Sequence, residues 1–151
     1  VLRLSKKMLF AIEAVLDVAY HSGGRPVQSR EITRRQDIPR RYLEQALQHL
    51  VRQGVLVGVR GPKGGYRLAR ERRRISVGDV VRAVQAMETR ENPIDDKSGS
   101  ELGRKVVRPL WAELEKAAME RLDGTTIEDL CQRSQDAGIA AEGPSGLDFA
   151  I

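Results

Sequence analysis

The sequence predicts a mainly α fold with a small β-hairpin wing, a winged helix-turn-helix domain followed by a long helix. Three observations predict it. The first half shows, in order, an amphipathic helical run, a shorter one, a proline-marked turn, a third helical run and two β-prone runs around a glycine-rich tip. The second half holds a longer apolar stripe of helical period. Charge is split: residues 1–75 carry 17 Lys and Arg against 6 Asp and Glu, a net +11, whereas residues 76–151 carry 9 against 15, a net −6. Such asymmetry points to a polyanionic partner for the first half. A merely solvated basic face is the alternative that charge alone leaves open.

Met8, Leu9, Ile12, Val15, Leu16 and Ala19 recur at three- and four-residue steps and place the first helix over residues 5–20. The glycines and proline of 21–26 end it. A short helix is expected next, N-capped by Ser29 and anchored by Ile32. Asp37-Ile38-Pro39 then marks a turn, because proline suits a first helical turn and not a helix interior. The helix predicted over 39–53 has a narrow apolar stripe of Leu43, Ala46, Leu47 and Leu50. Its other faces carry Arg40, Arg41, Tyr42, Gln45, Gln48, His49 and Arg52, with His49 expected toward solvent or phosphate, and Gly54 is placed to end it. The β-prone runs 55–60 and 66–69 flank Gly61-Pro62-Lys63-Gly64-Gly65, a tip that permits tight turns. These elements make residues 1–75 one domain, with its helix-turn-helix at about 28–53 and its wing at about 55–69.

Residues 76–135 read as a helical region. Ser76 and Asp79 resemble a capping box, and Val77, Val80, Val81, Val84 and Met87 form the inner face of the helix they open. Residues 88–100 are polar, contain Asn92-Pro93 and Gly99, and are expected to form a loop. The long helix runs to about residue 122 with Val107, Leu110, Trp111, Leu114, Ala118 and Leu122 on its apolar side, and Pro109 must start it or kink it. Gly124 ends it, and Thr125 with Glu128 is expected to cap a last short helix that carries Leu130 and Cys131. Residues 136–151, rich in Gly and Ala, read as a flexible tail. The basic run 70–74 either faces phosphates or is simply solvated.

Several classes are disfavoured. One cysteine in 151 residues allows no intramolecular disulfide and fits a reducing compartment. No run is apolar enough for a membrane span, and residues 1–7 lack a signal-peptide pattern, so a cytoplasmic protein without a membrane partner is expected. The glycine-rich tip lacks the spacing of a phosphate-binding loop. His21 and His49 are too isolated to suggest a metal site, and no nucleophile–base arrangement points to catalysis. Cys131 is either a small apolar core residue or a candidate redox thiol.

A helix that enters a major groove needs an apolar face to anchor it and long polar side chains to reach bases and phosphates. The 39–53 run supplies both. Arg40 and Arg41 stand at its N-terminal end, Tyr42 can donate to a phosphate, and Gln45 can read an adenine. Arg60 precedes a tip thin enough for a minor groove, and Lys63 adds charge there.

Residues 2–7 (Leu-Arg-Leu-Ser-Lys-Lys), Tyr42-Leu-Glu-Gln45, Val59-Arg-Gly-Pro-Lys-Gly-Gly-Tyr66 and Ile75-Ser-Val-Gly-Asp-Val80 together resemble the Rrf2 family of bacterial regulators over roughly residues 2–130. The resemblance implies a homodimer on an inverted-repeat operator of double-stranded DNA, more often as a repressor. It implies that Tyr42, Glu44 and Gln45 lie on a recognition helix and that Arg60 reaches the minor groove, so that Ser5, Lys6, Arg40, Arg41, Tyr42, Glu44, Gln45, Arg60, Gly61 and Lys63 are the candidate DNA contacts. It makes the long helix a dimerisation helix, packing through Leu110, Trp111, Leu114, Ala118 and Leu122. Cluster-binding members of the family carry three cysteines in the stretch that here reads 90–105, which has none, and a histidine ligand where this chain has Arg108. An iron–sulfur cluster needs a set of thiolates, so no cofactor is expected. The signal then comes from a small-molecule effector or a partner enzyme. The alternative is an interaction module that docks onto a metabolic enzyme, with or without DNA binding.

Overall fold

Ser5 opens the first helix: its backbone is extended and its hydroxyl accepts a hydrogen bond from the Met8 amide at 3.2 Å. The structure, a computed structural model, describes residues 4–87 and 93–143. Its elements are α1 (Lys6–His21), α2 (Ser29–Gln36), α3 (Arg40–Arg52), β1 (Leu56–Val59), β2 (Gly65–Leu68), α4 (Val77–Met87), α5 (Arg108–Asp123) and α6 (Ile127–Asp136). This is the mainly α fold with a hairpin wing that the sequence predicts.

α1 is the hub. Ala11, Ala14, Val15 and Val18 are buried, and their small side chains let α2, α3, α4, α6 and β2 all pack against the one helix. Ile32, Ile38, Leu43, Leu47, Leu50, Leu56, Ile75, Val80, Val84 and Ile127 complete a single core around it. Asp17 is the one charged side chain in that core among the described residues. Arg35 pairs with it through two bonds of 2.8 and 2.9 Å, and the Gln36 amide donates at 2.7 Å. α1 and α2 are therefore joined by a desolvated ion pair with its hydrogen bonds satisfied.

Helix ends follow local chemistry, in two places shifted from expectation. α2 is capped by Gln28 and not Ser29: the Glu31 carboxylate reaches back to the Gln28 amide at 2.8 Å, which makes Ser29 the first helical residue. α6 is capped one residue later than expected, by the reciprocal pair of Thr126 and Asp129 at 2.9 and 3.0 Å in place of Thr125 and Glu128. Ser76 and Asp79 do form their capping box, at 2.9 and 3.0 Å. α3 stops in a Schellman motif, with Gly54 at φ +76 and amide bonds from Gly54 to Val51 and from Val55 to Leu50.

Residues 88–92 of the expected loop lie outside the described residues; the remainder makes a short 3₁₀ turn, Pro93–Asp95, and then climbs into helix. A π-helical turn, Gly103–Val107, runs directly into α5, with the Arg108 amide bonded to the Gly103 carbonyl five residues back. Pro109 sits in the first turn of α5 immediately after it, so the proline begins the regular helix without interrupting it. None of the side chains of α5 is fully buried. The tail differs from expectation at its start: residues 137–143 are docked on α1 and α2, held by the Tyr20 hydroxyl on the Ile139 carbonyl and by Glu142 on Arg34 and Arg35 at 3.2 and 2.8 Å. Polar partners on α1 and α2, invisible to local composition, override the glycine and alanine content. Residues 144–151 lie outside the described residues.

Candidate nucleic-acid interface

α3 is pinned from below by Leu43, Leu47 and Leu50, all essentially fully buried. That leaves Arg40, Arg41, Tyr42, Gln45, Gln48 and Arg52 on exposed positions, with Tyr42 49 % exposed. Pro39 provides no side-chain cap, so the amides of the first turn remain available to an anion at the helix N-terminus. Arg40 and Glu44, both expected to reach DNA, bond to each other at 2.9 Å across one helical turn. An exposed pair of that kind is weak and exchanges readily for a phosphate. His49 differs from expectation: its Nε2 lies 2.7 Å from the Ala83 carbonyl, so it joins α3 to α4 instead of facing solvent. It sits on the flank of α3 next to the buried stripe, a distinction that helical spacing alone does not make.

The wing is set against the helix-turn-helix by backbone bonds. β1 and β2 pair antiparallel from Leu56↔Leu68 to Val59↔Gly65, and Val27 adds a bridge to Tyr66 through bonds of 2.8 and 2.9 Å. Gly65 stands at φ +152 where a Cβ would collide with the Val27 carbonyl, so only glycine permits this approach. The Gln28 side chain adds a bond, its Nε2 donating to the Pro62 carbonyl at 3.3 Å. Arg60, Gly61 and Lys63 are exposed at the tip.

This joint assembles a basic cleft in which Arg25 and Arg30, before and inside α2, line the same surface as Lys63. Neither arginine stands out in the sequence; the only signal was their membership of the +11 half. The N-terminal part of α1 is also close: Lys7 and Phe10 share a hollow with Tyr42 and Gln45, while Ser5 and Lys6 stand exposed one turn earlier, Ser5 with its hydroxyl committed to the helix cap. The basic run 70–74 is instead knitted into the fold. Arg70 bonds the Gly54 carbonyl and Asp79, Arg72 pairs with Glu128, and Arg73 pairs with Glu71 at 2.6 Å.

Cys131 packs in the core at 3 % exposure, and burial pushes its thiol up, with the nearby Arg72 pulling it the other way. A redox thiol needs access and a lowered pKa, so the cysteine behaves here as a core residue. On α5 the expected dimer residues Leu110, Trp111 and Leu114 are exposed, while Ala118 and Leu122 are half-buried. Leu102, Val106 and Val107 extend the exposed apolar ridge back through the π turn, with Leu102 74 % exposed.

An exposed basic α3 carried on a helix-turn-helix, with a wing fixed beside it, defines a winged-helix DNA-binding protein. The family model described as "Rrf2: Iron-dependent Transcriptional regulator" matches residues 4–133, and the chain belongs to that family of DNA-binding transcriptional regulators. It is similar to the HTH-type transcriptional regulator IscR of Sodalis glossinidius (strain morsitans), with 37 % identity over 135 residues that cover 89 % of this chain and 81 % of the relative. Among solved structures it resembles T. potens IscR, with a TM-score of 0.73, 33 % identity, and 91 % and 92 % of the two chains covered. It also resembles CymR (YrzC), the global cysteine regulator of B. subtilis, with a TM-score of 0.71, 30 % identity, and 88 % and 98 % covered. These relatives are regulators and not enzymes. Among the described residues, no helix is long and apolar enough to cross a membrane.

The residues do not fit an iron–sulfur cluster. The chain's single cysteine is Cys131, in the core on α6, so the stretch 93–108 offers no thiolate. Two guanidinium groups occupy that stretch instead: Arg108 donates to the Asp96 carbonyl at 2.6 Å and Arg104 to the Gly99 carbonyl. Among the described residues no three His, Cys, Asp or Glu side chains converge as metal ligands.

Proposed function

We propose that the chain is a homodimeric repressor that binds an inverted-repeat operator and does so without an iron–sulfur cluster. The observation that carries the dimer is the ridge of Leu102, Val106, Val107, Leu110, Trp111 and Leu114, six large apolar side chains between 42 and 74 % exposed on one helical segment. A second copy of the same segment covers this ridge by two-fold symmetry, which also gives the two α3 helices the symmetry of a palindromic site. Base contacts come from Arg41, Gln45 and their neighbours, and phosphate contacts from Arg40, Tyr42, Lys63, Arg25 and Arg30. Arg60 enters the minor groove. The two arginines of the 93–108 stretch hold it through backbone carbonyls, a crosslink that requires no metal.

Genome-wide mapping of binding sites, followed by footprinting, tests the operator. An enriched inverted repeat that is protected equally with and without an iron chelator supports the reading. Protection that disappears with chelator overturns the cluster-free part. Sedimentation of Trp111→Glu tests the dimer: the variant is expected to run as a monomer of unchanged helicity and to lose operator affinity at least tenfold. A variant that remains dimeric overturns α5 as the interface. Recovery of a stoichiometric enzyme without any enriched DNA site would replace the repressor by an enzyme-docking module.

A further inference from the structure

Residues 137–143 lie across the groove between α1 and α2 on contacts that share one titratable centre. The Glu142 amide donates to His21 Nδ1 at 2.9 Å, and its carboxylate reaches Arg34 and Arg35. The Tyr20 hydroxyl holds the Ile139 carbonyl, and the Tyr20 and His21 rings meet edge to face with centroids 5.2 Å apart. Gly143 is buried where a Cβ would lie 2.6 Å from the His21 carbonyl and the Gly23 amide. The segment thus closes over the end of α1 with its backbone against His21, and an accepting Nδ1 requires that nitrogen to be unprotonated.

We propose that residues 137–143 are a proton-sensitive strap, docked while His21 is neutral and released from α1 and α2 when His21 takes up a proton. Protonation puts a hydrogen on Nδ1, turned toward the Glu142 N–H, and converts an acceptor into a second donor. The charged groups facing His21 come from each element around it: Asp17 and Glu13 on α1, Arg34 and Arg35 on α2, and Glu142 on the strap, with the neutral Ser134 on α6. Desolvation lowers the His21 pKa, Asp17 and Glu142 oppose this, and the two arginines assist it. The sign follows: a histidine depressed in the docked state makes docking fully favourable above its free value and progressively less so as pH falls through that value toward the docked one. Glu142 remains ionised across this range because Arg35, and then Arg34, hold its carboxyl low. Glu13 is pushed up by burial and lines the same groove, so it needs its own control. The docked-to-free ratio falls about tenfold for each unit by which docking depresses His21. Release frees Arg34 and Arg35 from Glu142 and opens the groove that ends at the Asp17–Arg35 pair.

The test is an NMR titration of the full chain from pH 7.5 to 5.5, without DNA. It follows the His21 ring and the amides of Ile139 and Glu142, with limited proteolysis at the two end points. A common midpoint for ring and strap amides, with faster cleavage between residues 137 and 143 at pH 5.5, supports the proposal. His21→Asn, which offers an acceptor that does not titrate, is expected to abolish the shift of the strap amides, and Glu13→Gln to retain it. Strap amides that stay fixed while His21 titrates overturn it, as does a pH response that survives His21→Asn or vanishes in Glu13→Gln. Because no step uses DNA, failure here leaves the operator reading intact, and failure to find an operator leaves the strap intact.

Discussion

At the scale of single residues, the same chemical group acts differently according to what surrounds it. Arg60 and Arg35 both lie in the basic half, yet Arg60 is exposed at the wing tip and Arg35 is held against a fully buried carboxylate. Arg60→Ala is therefore expected to leave the melting temperature unchanged and to weaken operator binding about tenfold, on the scale of one lost arginine contact. An anisotropy titration at fixed salt measures it, and unchanged affinity would remove Arg60 from the interface. Asp17→Ala should act the other way round. It leaves Arg35 with only Glu142 as a charged partner and costs about 3 kcal/mol of stability, read from the denaturation midpoint; a loss below about 1 kcal/mol would mean that the pair is not desolvated as described.

Local signals in the sequence identified the residues that face outward on α3 and the wing, because helical period and turn chemistry are properties of neighbours along the chain. They failed where a partner is distant. His49 was expected outward, yet it bonds a carbonyl 34 residues away, and Arg72 pairs with Glu128 across 56 residues. Asp17 carries no local mark at all, since only the fold brings Arg35 and Gln36 to it.

At the scale of elements, the wing shows how little separates a positioned hairpin from a loose one. Two backbone bonds to Val27 fix it, and they exist because Gly65 has no side chain. Gly65→Ala is expected to break that bridge, expose the Val27 and Tyr66 amides to exchange, and reduce operator affinity while the helical content stays constant. Hydrogen exchange at Val27 and Tyr66 checks it, and retained protection would show that the strand can yield without losing the joint. Element types and order were legible because each run has its own period, whereas boundaries slipped by a residue where two caps compete. Thr125 with Glu128 and Thr126 with Asp129 offer the same spacing, and packing of Ile127 into the core selects the second. The π turn before Pro109 was not legible, since a proline in a helical run predicts a start or a kink but not a widened turn.

At the scale of the whole molecule, the charge split orients the chain toward a polyanion, with α3, the wing and α2 on its positive side and α5 in its negative half. Operator affinity is expected to fall steeply with salt, by about 0.9 log units per decade of salt for each phosphate neutralised. Arg30→Ala is expected to reduce that slope by about one unit without changing the preferred sequence. An unchanged slope would place Arg30 outside the phosphate footprint. The same global view explains why the exposed ridge cannot be read from composition: the apolar residues of α5 resemble those of any amphipathic helix until the fold leaves Leu110, Trp111 and Leu114 exposed.

The π turn at Gly103–Val107 has a geometric consequence for how such a chain can vary. A turn of this kind holds one residue more than a regular helix needs, and one residue in an α-helix corresponds to a rotation of about 100°. The segment before the turn, with Leu102 and the loop that Arg104 and Arg108 hold, is therefore offset in angle from the segment after it, with Trp111 and Leu114. Loss of a single residue here would leave Leu110, Trp111 and Leu114 where they are and swing the loop, with Leu102, to another side of the helix. The spare residue is thus an angular setting that fixes which way the segment before the turn points from a shared axis, and it can be reset by one codon while α5 keeps its own exposed face.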